Sequence, residues 1–127
     1  MPIKRLLCPQ RLRRIPGQFS WIDQRLVREG HVERCDCPAL ALYLVLVTVA
    51  DAQGLSFYGD AALARLLSIE PVQVRQARAD LIAADLIAYQ PPLYQVLSVD
   101  AVPRELSRDE QRARLAQLRA LLERPKS

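Results

Sequence analysis

Apolar residues recur through the middle of the chain at helical spacing. Leu63, Leu66 and Leu67 form one inward stripe, and Val74, Ala77 and Leu81 form a second. Spacings of three and four place each set on one helix face. Between them stands Ser-Ile-Glu-Pro, which reads as a tight turn. Pro71 suits the first position of the second helix, and Glu70 then stands as its cap. Asp60 is expected to cap the first helix. The pair therefore runs as helix, turn, helix, with the second ending near Ala84.

The flanking pattern adds further elements. Pro38 suits a helix start, and the apolar run that follows is expected to continue to Gly54 as a helix buried on nearly every side. Leu55 to Gly59 has the look of a short strand. Leu86 to Tyr89 and Tyr94 to Val99 are β-prone and flank Pro91-Pro92, which predicts a short hairpin. Upstream, Ser20 with Asp23 resembles a capping box over a short helix that buries Ile22 and Leu26 and stops at Gly30. Trp21 is expected to be a partly buried anchor for that helix.

Downstream, Ser107 and Glu110 make a second capping-box pattern, and Leu115, Leu118, Leu121 and Leu122 make a further stripe. That stripe either docks on the central helix of its own chain or pairs with a second copy through Leu115, Leu118 and Leu122.

The expected fold is mainly α with a small β-hairpin. Residues 1–34 form a basic N-terminal arm and short helix. Residues 35–103 form the core, and residues 104–127 form a C-terminal amphipathic helix. A chain of 127 residues suits one core of this kind. The longest apolar run, Ala39 to Ala50, is shorter than the roughly 20 residues a membrane span needs. No secretory leader is evident, and a cytoplasmic protein is expected.

Charge changes the picture. Residues 1–34 carry 8 basic and 3 acidic side chains, a net of +5. Residues 35–103 carry 3 and 7, a net of −4, and residues 104–127 carry 7 and 4, a net of +3. Basic arms flank an acidic middle, within a total of +4. Such arms suit a polyanion, and equally a solvated surface.

The order of elements, with "DAALARLLSIEPVQVRQARADLIAADLI" at its centre, resembles the winged helix-turn-helix superfamily over Pro38 to about Val99. Ile69 sits within the turn, and "ADLIAY" stands where such domains pass from the recognition helix into the wing. The run "YLVLVTVADAQGLSFYGD" is also similar, more weakly, to small helix-turn-helix proteins of bacterial mobile elements and to winged helices of plasmid replication initiators. The resemblance implies double-stranded DNA as partner, with the second helix in the major groove.

On that reading Val72, Gln76, Ala79 and Ala83 face outward, flanked by Gln73 and Arg75. Gln73 or Gln76 suits adenine, and Arg75 suits guanine or phosphate. Arg78 on the helix flank and Arg65 on the preceding helix complete the core's basic candidates. Glu70 and a wing tip without basic residues supply nothing for phosphate. Lys4, Arg5, Arg11, Arg13 and Arg14 are the expected backbone or minor-groove contacts. The expected role is transcription regulation, or replication of a mobile element. The alternative is a protein-interaction module in a replication or transposition complex.

Other chemistry finds less support. Cys8, His31, Cys35 and Cys37 have the ligand types of a zinc site, but Cys-x-Cys spacing is less usual than Cys-x₂-Cys. No metal or cofactor is expected, and reduced, buried cysteines are the competing reading. The chain has one histidine and no Gly-rich phosphate loop. Asp80 and Asp85 do not share a helix face. The expectation is a protein that is not an enzyme. Tyr58, Tyr89 and Tyr94 suit strand packing better than stacking on bases.

Overall fold

The computed structural model describes residues 2–100, 112, 113, 115–117, 119 and 120. The fold is mainly helical with a small three-stranded antiparallel sheet. In chain order the elements are α1 (Arg25–Arg28), α2 (Cys37–Val49), β1 (Leu55–Phe57), α3 (Asp60–Leu67), α4 (Pro71–Ala83), β2 (Ile87–Gln90) and β3 (Leu93–Val96). Single 3₁₀ turns at Pro9–Arg11 and Val32–Arg34 punctuate the N-terminal third. Helical positions recur at residues 112, 113, 115–117, 119 and 120.

The core lies where α2, α3, α4 and the sheet meet. Leu42, Leu46, Leu63, Val74, Leu81, Leu86, Ile87 and Tyr94 are its largest fully buried side chains. Ala77, at the same depth, lets α4 approach its neighbours closely. Val74, Ala77 and Leu81 thus form the inward stripe that their spacing predicts.

Two chain reversals frame α4. Ser68 takes a left-handed φ of 55°, and Ile69 N–H then donates to the Ala64 carbonyl at 3.1 Å. Asp85 does the same at φ 62°, with Leu86 N–H donating to the Leu81 carbonyl at 3.0 Å. Both are helix stops in which a left-handed residue satisfies orphan carbonyls. The first sets the short turn between α3 and α4, and Ile69 packs against the core from it.

The sheet order is β1-β3-β2, so the β2–β3 hairpin is joined on its open edge by β1. Leu55 pairs with Gln95 and Tyr89 with Tyr94. Gly54, at φ +84°, allows this junction, because a Cβ there would sit 2.8 Å from the Val96 carbonyl oxygen.

Several expectations are corrected. α2 ends at Val49, not Gly54. The cause is Asp51, whose carboxylate accepts from the Gln53 and Leu55 N–H groups at 2.8 and 2.9 Å and builds a turn that competes with the helix. α2 starts at Cys37, capped by Asp36, which accepts from Ala39 N–H at 3.0 Å. Nor is α2 enclosed on all sides, since Leu44 is 55% exposed.

Asp60 is the first residue of α3 and not its cap, a position held by Gly59. Leu66 is exposed, and Ala64 takes its place on the buried face. Ser20 caps nothing. Its hydroxyl donates to the Thr48 carbonyl, and Asp23 instead accepts from Arg25 N–H at 2.9 Å before a four-residue α1. Trp21 is 75% exposed and Ile22 is exposed beside it, leaving Leu26 as the buried anchor. Gly30 does end this region, at φ 76°.

Candidate nucleic-acid interface

The outward face of α4 is built by the locking of its inward face. Buried Val74, Ala77 and Leu81 fix the helix in rotation. Val72, Gln76, Ala79 and Ala83 then stand in solvent, with Arg75 beside them. At the first turn Glu70 N–H donates to Gln73 Oε1 at 2.9 Å. Gln73 is therefore held by its own helix, with its amide NH₂ still free to donate. At the last turn Arg34 donates to the Ala84 carbonyl at 3.1 Å, a cation at the negative end of the helix.

Arg78 lands elsewhere than expected. Its side chain is 12% exposed and turns toward the sheet. Nη1 donates to Asp60 Oδ1 at 2.6 Å and to the Tyr94 hydroxyl at 2.9 Å, and the guanidinium lies 4.3 Å from the centre of the Tyr89 ring. Tyr89 and Tyr94 are themselves in contact, their ring centres 4.5 Å apart. Burial works against the charge on Arg78, but the bonds to Asp60 and Tyr94 outweigh it and hold the group above its ordinary pKa. Burial pushes the Tyr94 phenol up, and Arg78 offsets part of that rise. Arg78 thus ties the start of α3, the middle of α4 and the hairpin together, and it is withdrawn from the outer face.

The remaining sequence candidates are exposed. Arg65 stands on the last turn of α3 and Arg75 on the second turn of α4. Among the described residues neither has an ion-pair partner. Lys4, Arg5, Arg11, Arg13 and Arg14 lie on the arm, where residues 2–20 are exposed throughout. Tyr94 in β3 is buried and Tyr89 in β2 is partly buried against the core, as strand packing requires, while Tyr58, partly buried too, lies just past β1, which ends at Phe57 and not Gly59.

Two charge groups escaped sequence reasoning. Asp60 and Arg78 are 18 positions apart, and nothing local marks them as a pair. Asp23 and Asp100 both bind Arg25, at 2.7 and 2.6 Å. Hydrogen bonds to Arg25 hold Asp23 below its ordinary value. Bonds to Ser98 and Arg25 do the same for Asp100.

Cys8, His31, Cys35 and Cys37 do not gather. Among the described residues no group of three or more His, Cys, Asp or Glu side chains is arranged to hold a metal ion. His31 Nδ1 lies 2.7 Å from the Arg34 guanidinium, and burial pushes the Cys35 thiol up. No helix among the described residues is long and apolar enough to cross a membrane. Leu115 is exposed, and Leu118 and Leu122 lie outside the described residues.

Comparison with protein-family models, curated proteins and solved structures finds no match to this chain.

Proposed function

We propose that the chain is a DNA-binding protein of winged helix-turn-helix type, acting in transcription regulation or in replication of a mobile element. In this reading α3 and α4 are the helix-turn-helix, the β2–β3 hairpin is the wing, and α4 enters the major groove. The observation that carries it is the contrast across α4. The inward side is locked by Val74, Ala77 and Leu81, while the outward side presents Gln76 and Arg75 to solvent on a rigid support.

The outer face is short of charge once Arg78 is withdrawn. Affinity for a duplex follows the number of phosphates neutralised. Arg65 and the arm residues Lys4, Arg5, Arg11, Arg13 and Arg14 supply that charge, and Arg75 with Gln76 supplies base contacts. One observation favours a protein partner instead. Val72 is 58% exposed and Ile82 45% exposed, on a face that also carries Ala79 and Ala83. The same rigid face then serves as an apolar contact surface in a replication or transposition complex.

Duplex binding measured against salt concentration tests the proposal. DNA binding predicts a steep log–log loss of affinity, with the slope reduced by about 2 in the Arg13→Ala/Arg14→Ala variant. Absence of duplex binding at low salt selects the protein-contact reading.

A further inference from the structure

A second surface lies away from the outer side of α4. Ile22, Leu26, Val27, Leu40, Tyr43 and Leu44 line an apolar groove between α1 and α2, a cleft of about 420 Å³. Leu26 and Tyr43 are buried at its floor, and Val27 and Leu44 stand 72% and 55% exposed at its sides. Covering such side chains removes apolar surface from water and is favourable.

The path of the chain identifies an occupant. Asp100 Oδ1 accepts from Arg25 Nη1 at 2.6 Å, and Arg25 stands between Gln24 and Leu26, both of which line the groove. Asp100 is therefore held beside the groove, and it shares an adjoining cleft with the groove residues Ile22, Asp23 and Tyr43. Further on, the described positions from 112 to 120 are helical and exposed, with Leu115 at 59%. A short helix is marginal in water and draws most of its stability from packing an apolar face. In sequence, Leu118 and Leu122 continue the spacing set by Leu115.

The reach is sufficient. The 12 positions from Asp100 to Arg112 span up to about 40 Å when extended. Asp23, the charged residue among the described lining, is already paired with Arg25 at 2.7 Å, so the groove offers an apolar stripe no unmet charge. A tether of this length also gives an effective concentration near the millimolar range, which favours the same chain over a second copy.

We infer that the α1–α2 groove is the docking site of the chain's own C-terminal amphipathic helix, with Leu115 set against Val27 and Leu44. The leucine stripe is then an intramolecular clasp and not a dimer seam. Docking is independent of whether α4 binds DNA.

Hydrogen exchange on the full-length protein tests this, using the wild type and the Leu115→Glu, Val27→Glu and Leu44→Glu variants. All three positions are exposed outside the clasp, so the core keeps its packing. Protected amides across residues 112–120 are expected in the wild type, at a monomer's mass and unchanged on hundredfold dilution. Each variant is expected to exchange there at least about tenfold faster, with α4 amides unaffected. Unprotected amides in the wild type overturn the proposal. So does protection that survives both groove variants, and so does protection lost on dilution together with a dimer's mass.

Discussion

The two sides of α4 are half a helical turn apart and chemically opposite. On the inner side Val74, Ala77 and Leu81 are buried, and Arg78 is engaged by Asp60, Tyr94 and the Tyr89 ring. On the outer side Val72, Arg75, Gln76, Ala79 and Ala83 are exposed. The inner side spends its one cation on structure, and the outer side keeps Arg75 available. A basic residue on a helix is therefore no measure of binding until its partners are known. Arg78 and Arg75 are three residues apart and stand in different surroundings, one bonded to Asp60 and Tyr94 and the other exposed.

The largest effect is expected on the inner side. Leu81→Ala leaves a cavity beneath α4 and should lower unfolding free energy by about 2–5 kcal/mol, read by urea denaturation. A loss below about 1 kcal/mol would mean that α4 is not locked as described.

Next comes the Arg78 cluster. Arg78→Ala strips Asp60 of its cation and should cost about 1–3 kcal/mol, less than a fully buried pair because Asp60 remains 30% exposed. A double-mutant cycle with Asp60→Asn should return a coupling energy well above that of an exposed pair, about 0.2–1 kcal/mol. Arg75→Ala should leave the unfolding midpoint unchanged, which sharpens the contrast.

The smallest effect concerns the tie between α1 and the end of the described body. Asp23 and Asp100 are held below their ordinary pKa in the fold. Their contribution is therefore present above about pH 3.8 and is lost as the pH falls through the lowered values. Acid titration of the wild type against Arg25→Met should show a difference at neutral pH that closes below that range. A difference that persists in acid would assign the role of Arg25 to packing.

Much of the inner side was legible in the sequence. Val74, Ala77 and Leu81 announce themselves by spacing, Pro71 by its preference for a helix start, and Glu70 as the cap by its place before that proline. These signals are local. The misreadings have non-local causes or come from competing local bonds. Arg78 finds Asp60 and Tyr94 across 18 and 16 positions, and no period reveals that. The early end of α2 depends on the bonds that Asp51 makes to the backbone. Leu66, Leu44 and Trp21 are apolar yet exposed, because hydrophobicity predicts what can be buried and not what the fold has room to bury. The outer face of α4 was readable as a list of residues. Its poverty in charge was readable too, and the fold adds that Arg78 is bound by Asp60 and Tyr94.

The most direct test of the account is duplex affinity and sequence preference, measured at low salt for wild type, Arg75→Ala and Arg78→Ala, each alongside its unfolding midpoint. The account predicts that Arg75→Ala keeps its stability and loses about 1–3 kcal/mol of discrimination between selected and random duplexes. Arg78→Ala should lose stability but keep its discrimination wherever it remains folded. Unchanged discrimination in Arg75→Ala, or a selective loss in folded Arg78→Ala, would contradict the division of labour across α4.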